Sequence, residues 1–267
     1  MARVLAIANQ KGGVGKTTTS VNLAASLAAM NQRVLLVDLD PQGNATMGSG
    51  VDKHAVERSI YHVLVNRAPV PLITQRVPEG GFDVLPANDD LTAAEVELIG
   101  VDHSERRLSS ALREVDSKYD YILIDCPPSL NMLTLNGLVA AHGVLIAMQC
   151  EYFALEGLSA LVNTINRVAD SVNPRLQIEG ILRTLYDPRN SLTNQVSSQL
   201  HQHFGEAVYR TVIPRNVRLA EAPSHGLPVM YYDRHSRGAR AYMALAGELI
   251  RREEKRHSGA LSAVPEH

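Results

Sequence analysis

Along the chain, short runs of consecutive apolar residues alternate with longer stretches in which apolar positions recur every three or four residues. Val4–Ala8, Val34–Val37, Phe82–Leu85, Tyr121–Ile124, Val144–Met148 and Ile178–Leu182 are of the first kind. Their length and their Val, Ile and Leu content suit strands buried on both faces. Thr17–Met30, Glu105–Val115 and Leu155–Ala169 are of the second kind and predict helices. Strand and helix in alternation predict an α/β fold, a mostly parallel twisted sheet with helices on both faces. In such sheets ligands sit beyond the carboxyl ends of the strands, so the loops after those strands carry the interest. Residues 45–80, with Pro69, Pro71 and Pro78, break the rhythm and read as a less regular insertion.

Length and composition narrow the class. A chain of 267 residues, 45% hydrophobic and 20% charged, fits one large globular domain, placed at 1–254. Residues 255–267, small and polar, read as a flexible tail. There is no run of 18 apolar residues, and the first residues lead into a strand with no charged segment, apolar core and cleavage site. Cys126 and Cys150, far apart and without metal spacing, read as reduced thiols, and the cytoplasm is the expected compartment. The net charge of −2 argues against a dedicated nucleic-acid binder, but its distribution is uneven. Residues 81–120 carry ten acids and four bases, whereas 175–240 carry nine arginines and five acids, with His201, His203, His225 and His235 besides. One face can therefore meet phosphates while another stays acidic.

The first strand runs into Lys11-Gly12-Gly13-Val14-Gly15-Lys16-Thr17-Thr18 and then into a helix. The general phosphate-loop pattern asks for Gly, four residues, then Gly-Lys-Ser/Thr; here Asn9 stands at the first glycine's place. The chemistry survives that departure, because backbone N–H groups still wrap phosphates in front of a helix N-terminus. Lys16 would neutralise the β and γ oxygens of a nucleotide, and the Thr17 hydroxyl would bind Mg²⁺. The run Ile122-Leu123-Ile124-Asp125 is a buried strand ending in an acid placed to hold Mg²⁺ through a water. Asp40, in Asp38-Leu39-Asp40-Pro41-Gln42-Gly43-Asn44, follows the second strand, where a carboxylate near the metal suits water activation.

Lys11, five residues before Lys16, makes the loop resemble the deviant Walker A motif, K-G-G-x-G-K-T, of the ParA/MinD superfamily. The resemblance extends over roughly residues 3–250 and implies a deviant P-loop NTPase. It implies that Lys11 acts in trans on the partner's nucleotide across an ATP sandwich homodimer, and that Gly12 lies where two chains meet. The D-x-D-P-Q-G-N segment implies that Asp40 orients or activates the attacking water. Ile213-Pro214-Arg215-Asn216-Val217-Arg218-Leu219 and Glu221-Ala222-Pro223-Ser224-His225-Gly226 resemble a segment of the chromosomal Soj-type ParA group. There the resemblance implies adenine contacts from Pro214 and Asn216, and DNA contacts from Arg189 and Arg218. Arginine suits such contacts, since its fixed fork grips phosphate oxygens without reading bases.

The function so implied is a Mg-ATP switch whose dimer binds nonspecific double-stranded DNA of the nucleoid and hydrolyses ATP when a ParB-like partner arrives. Chromosome or plasmid segregation is the expected role. Two other readings compete with it. A MinD-like membrane ATPase needs a C-terminal helix with a broad apolar stripe, whereas Arg251-Arg252-Glu253-Glu254-Lys255-Arg256 is charged, so no membrane partner is expected. Another cargo, or a metabolic ATP-dependent enzyme on the same fold, is the alternative; the latter would need a second substrate pocket or paired cysteines. With so short a segment before the first strand, no N-terminal helix-turn-helix domain, and so no operator-specific repression, is expected.

Overall fold

The computed structural model describes residues 1–259. Eight strands form one sheet: β1 (Arg3–Ala8), β2 (Val34–Asp38), β3 (Gln75–Val77), β4 (Phe82–Leu85), β5 (Tyr121–Asp125), β6 (Gly143–Gln149), β7 (Gln177–Tyr186) and β8 (Val208–Pro214). Their order is β3-β4-β2-β5-β1-β6-β7-β8, with β3–β4 antiparallel and the other pairs parallel. All six predicted strands are present. β3 and β8 escape the pattern because each is an edge strand with one neighbour and need not be apolar throughout; β8 carries Arg210 and Thr211 at its centre.

Successive residues of a strand face opposite layers, and two cores result. Leu35, Val37, Ile122, Ile124, Val144 and Ile146 pack on one face; Leu5, Ile7, Leu36, Leu123 and Leu145 pack on the other. The helix Ala154–Ser171 closes the first core with Leu158, Leu161 and Ile165. α1 (Lys16–Ala28) and the C-terminal helix Arg237–His257 close the second with Leu23, Leu27, Leu245 and Leu249. Each such leucine taken fully out of water stabilises the fold by roughly 1.5–3 kcal/mol. The stretch 105–115, expected as one helix, is a 3₁₀ turn (Ser104–Arg106) followed by a short helix, Arg107–Leu112.

The C-terminal helix runs three residues past the tail boundary placed at 254. Its last turns are anchored: Arg256 and Arg3 both bind the buried Glu179 of β7. The rest of the expected tail, 260–267, lies outside the described residues.

Candidate active site

The turns after β1, β2, β5, β7 and β8 converge at the carboxyl edge of the sheet on a cleft of about 360 Å³. It opens beside β1, where the chain leaves toward β2 on one side while β6, β7 and β8 build outward on the other. That switch point is where a parallel sheet leaves a crevice.

The loop between β1 and α1 forms the cleft floor through Gly12, Gly13, Gly15, Lys16, Thr17 and Thr18. Gly13 (φ +72°) and Gly15 (φ +86°) occupy left-handed backbone that side chains resist, and Gly15 is the residue from which α1 starts. Val14 points inward, buried, and its carbonyl accepts from Thr184 Oγ1 at 2.7 Å. Asn9, at the place of the missing glycine, has a job of its own. Its Nδ2 donates to the Ala147 carbonyl of β6 at 2.8 Å, and its Oδ1 accepts from Lys11 N at 3.0 Å. Lys16 Nζ folds back over the loop and donates to the Lys11 carbonyl at 3.3 Å, which spans the space where phosphates would lie. Burial lowers the Lys16 ammonium from its ordinary range, while the charges of Asp125 and Asp40 work against that shift.

Asp125 ends β5 with no exposed surface. Thr17 Oγ1 donates to its Oδ2 and Ser20 Oγ to its Oδ1, each at 2.8 Å. In register beside it on β2 lies Asp38, also fully buried. Asp38 Oδ2 accepts from both Thr46 N (2.8 Å) and Thr46 Oγ1 (2.7 Å), and its Oδ1 accepts from Asp40 N (3.1 Å). Burial pushes both carboxyls well above the usual carboxylate range, the neighbouring Asp38 charge adds to the rise at Asp125, and the hydrogen bonds oppose it. Two buried acids with no cation in ion-pairing distance among the described residues make a local electrostatic deficit. A hydroxyl beside a carboxylate is a hard-oxygen donor set that fits Mg²⁺ held through few protein ligands and substrate phosphates. Thr17 and Asp125 would hold that ion, which would supply charge neutralisation at the phosphates.

Asp40 lines the cleft across from the loop, one turn before α2 (Asn44–Gly48). At the far end stand Ile213, Asn216, Leu219 and, from the C-terminal helix, Tyr242, whose hydroxyl meets Thr19 Oγ1 at 3.1 Å. Asn216 Oδ1 is buried without a hydrogen-bond partner, an orphaned acceptor suited to an exocyclic amino group such as that of adenine. Pro214 does not line the cleft: it ends β8, half-buried, and the apolar wall comes from Ile213 and Leu219 instead. The strand's alternation explains the difference, since Ile213 faces inward and its neighbour cannot. Tyr242 and Thr184 have no signal in the sequence, because each reaches the cleft from an element far along the chain.

Lys11 stands at the rim with half its side chain exposed, paired to Glu151 in the turn after β6. Next to Glu151, Tyr152 and Phe153 are exposed and meet edge to face, with ring centroids 4.9 Å apart. Gly12, in the same stretch, needs no glycine for its own backbone, and a Cβ built there meets nothing within 4 Å. Arg189 and Arg218 lie outside the cleft, after β7 and β8 on the same edge. Arg189 is bidentate on Asp187 (2.9 and 2.8 Å); Arg218 binds Glu221 (2.8 Å) and Asp233 (3.3 Å). The guanidinium of Arg189 holds the Asp187 carboxyl down to about 2.

Residues 2–178 match the AAA domain family. The chain is 51% identical over 260 residues to the chromosome partitioning protein ParA of Caulobacter vibrioides, covering 97% of each. It is 53% identical over 249 residues to the sporulation initiation inhibitor protein Soj of Bacillus subtilis, covering 93% of this chain and 98% of that one. Among solved structures it matches cobyrinic acid a,c-diamide synthase of Mycobacterium smegmatis, with bound ATP analog and magnesium. That match has a TM-score of 0.84 at 38% identity and covers both chains fully. Among the described residues, no helix is long and apolar enough to cross a membrane.

Proposed function

The chain belongs to the ParA/Soj family of chromosome-partitioning ATPases, and from that premise we propose that it is an ATP-dependent dimerising switch for DNA segregation in the cytoplasm, on the nucleoid. The observation that carries this reading is the division of labour between the two loop lysines. Lys16 folds over its own phosphate site, whereas Lys11 stands half-exposed at the rim, held by a surface pair with Glu151, beside a glycine its own chain does not require. A cation and a bare backbone on an exposed rim suit contact with a second copy's nucleotide.

In this reading Lys16, Thr17 and the backbone of residues 12–18 hold Mg-ATP, and Asn216 meets the base. Asp40 accepts or aligns the proton of the attacking water. Closure of two chains brings the Arg189 and Arg218 of each onto one surface. Two weak phosphate-binding surfaces joined in one dimer hold DNA far better than either alone, so ATP controls DNA binding. A ParB-type partner then stimulates hydrolysis and resets the switch. The reading as an ATP-dependent synthetase rests on the 38% identity to the diamide synthase and is weaker than the 51–53% to partitioning proteins over nearly the whole chain.

Retention of unrelated duplexes should require ATP and fail with ADP, and light scattering should show an ATP-dependent dimer that Gly12→Val prevents. Arg218→Ala and Arg189→Ala should each flatten the slope of log affinity against log salt, by about 0.9 for every phosphate that is no longer neutralised. DNA binding that ignores the nucleotide, or a dimer that survives Gly12→Val, would defeat the switch.

A further inference from the structure

The turn that presents Asp40 is short and would be loose if nothing gripped it. Gly43 N donates to the Asp40 carbonyl at 2.8 Å, and Asp40 Oδ1 accepts from Gln42 N at 3.0 Å, so residues 40–43 form a tight turn. On its inner side Asp38 fixes the entry by accepting from Asp40 N, and fixes the exit by accepting from Thr46 N and Oγ1. On its outer side lies Lys53, which is only 17% exposed at its side chain despite carrying a charge. Lys53 Nζ donates to the Gln42 carbonyl at 2.8 Å and lies 3.5 Å from Asp89. Its backbone N–H meets Met47 Sδ at 3.4 Å, which ties the lysine to α2. The stem lies flat on Gly43, whose φ is +61°; a Cβ there would stand 2.8 Å from Lys53 Cδ and 3.0 Å from the Ala87 carbonyl. Glycine at 43 therefore serves both the left-handed backbone and the passage of the lysine stem.

We propose that Lys53 is a positioning residue for ATP hydrolysis, clamping the turn from outside so that the Asp40 carboxylate keeps its place in the cleft. This rests on the reading of Asp40 as the residue that handles the attacking water. The clamp has three parts. A charge-assisted hydrogen bond fixes the Gln42 carbonyl, the carboxylate of Asp89 steers the ammonium, and the methylene stem fills the space over Gly43. Lys53 itself does not line the cleft, so it acts on geometry and not on the nucleotide. Positioning of this kind is worth much in rate and little in ground-state binding, because a displacement near 1 Å spoils alignment only at the reacting atoms.

The test is Lys53→Met in the full chain, which keeps the stem over Gly43 and removes only the ammonium. Single-turnover hydrolysis of Mg-ATP should slow by roughly 10- to 100-fold, with ATP affinity and ATP-dependent dimerisation unchanged. Lys53→Arg, which restores a cationic donor to Gln42, should recover most of the rate. A Lys53→Met protein that hydrolyses at the wild-type rate overturns the proposal. So does one that loses ATP affinity in proportion to rate, or one that Lys53→Arg does not rescue. Asp40→Ala run in parallel separates the clamp from the residue it holds. Wild-type hydrolysis in that variant removes the role of Asp40 and the clamp with it; slow hydrolysis there beside a fast Lys53→Met removes the clamp alone.

Discussion

At the amino end of the sheet Glu179, with its side chain wholly buried, accepts from Arg3 Nη2 at 2.8 Å, pairs with Arg256 and meets the Tyr209 hydroxyl at 3.4 Å. At the carboxyl end Asp125, equally buried, meets among the described residues the hydroxyls of Thr17 and Ser20 and has a second acid, Asp38, beside it. The first carboxylate closes a network that ties β1, β7 and the C-terminal helix together, and it wants nothing from outside. The second is left short of positive charge, in a cleft whose lysine is itself partly desolvated. Folding alone does not favour that arrangement, since an unpaired buried acid costs stability. The deficit makes sense as a place kept for a cation and a polyphosphate that arrive together. A buried acid that is paired marks the end of the sheet that builds the fold, and a buried acid left without a cation marks the end where the cleft opens, although the exposed charges around that cleft are paired.

Substitutions can break this contrast, and the largest effects belong at the carboxyl end. Asp40→Ala should slow ATP hydrolysis by about 10²–10⁴ while nucleotide still binds, the usual cost of losing a water-handling group. Rapid-quench measurement of hydrolysis in the presence of Mg²⁺ checks it, and a normal rate would remove Asp40 from the chemistry. Lys16→Ala should weaken ATP by about 100-fold, in line with losing charge-assisted bonds to phosphate worth about 1.5–3 kcal/mol each. Calorimetry that finds unchanged affinity would mean that the loop between β1 and α1 is not the phosphate site.

The sharpest comparison pairs one buried acid with the other. Glu179→Gln should lower the unfolding free energy by about 2–3 kcal/mol, at or below the usual cost of breaking a buried pair because Arg3 and Arg256 are partly solvated. Asp125→Asn should leave stability in Mg-free buffer unchanged or higher, since it removes a buried charge with no cation in ion-pairing distance among the described residues, while Mg²⁺ no longer strengthens nucleotide binding. Urea unfolding of both variants decides the matter. If Asp125→Asn is the more destabilised of the two, the two ends of the sheet do not differ in this way.

The smallest effect concerns the amino end alone. His142 Nδ1 accepts from Val4 N at 3.1 Å, which requires the neutral ring, and burial together with the charges of Arg3 and Arg175 lowers its affinity for a proton. The unfolded chain therefore binds that proton more readily, and the contribution of His142 to stability should decline as pH falls through the ordinary imidazole value of 6.5, against the opposite trend from the raised carboxyls of Asp38 and Asp125. Between pH 7.5 and 5.5 the loss is bounded at about 1.4 kcal/mol, the figure for a ring that takes up no proton while folded. Stability of the wild type and of His142→Asn, whose amide oxygen can still accept from Val4, measured at pH 7.5 and 5.5, tests the assignment. The same change with pH in both proteins would place the proton elsewhere.

Much of the site is legible one segment at a time. Lys16, Thr17, Asp40 and Asp125 each stand at the end of a strand or the start of a helix, so a local pattern announces both the element and the residue. The structure then brings Thr17 and Asp125 together at 2.8 Å, as their positions at neighbouring strand ends imply. Resemblance points to Asn216 at the cleft, and its unpartnered oxygen supports that placement; resemblance points to Pro214 as well, and strand alternation turns it aside. Lys53, Glu151, Thr184 and Tyr242 carry no such local mark. Each is an ordinary residue in its own segment and gains meaning only from a partner distant along the chain.

The sequence by itself determined the class of sheet and where the glycine loop and the strand-end acids fall, because hydrophobic period, glycine placement and strand-end carboxylates are local properties of a chain. Only the tertiary structure decided which charges are answered and which are left open. Glu179 finds Arg3 and Arg256 across 176 and 77 residues of chain, while Asp125 finds another acid on the adjacent strand. Whether a buried charge is paired depends on which elements lie side by side, and burial, the quantity that makes pairing matter, does not exist until the chain has folded.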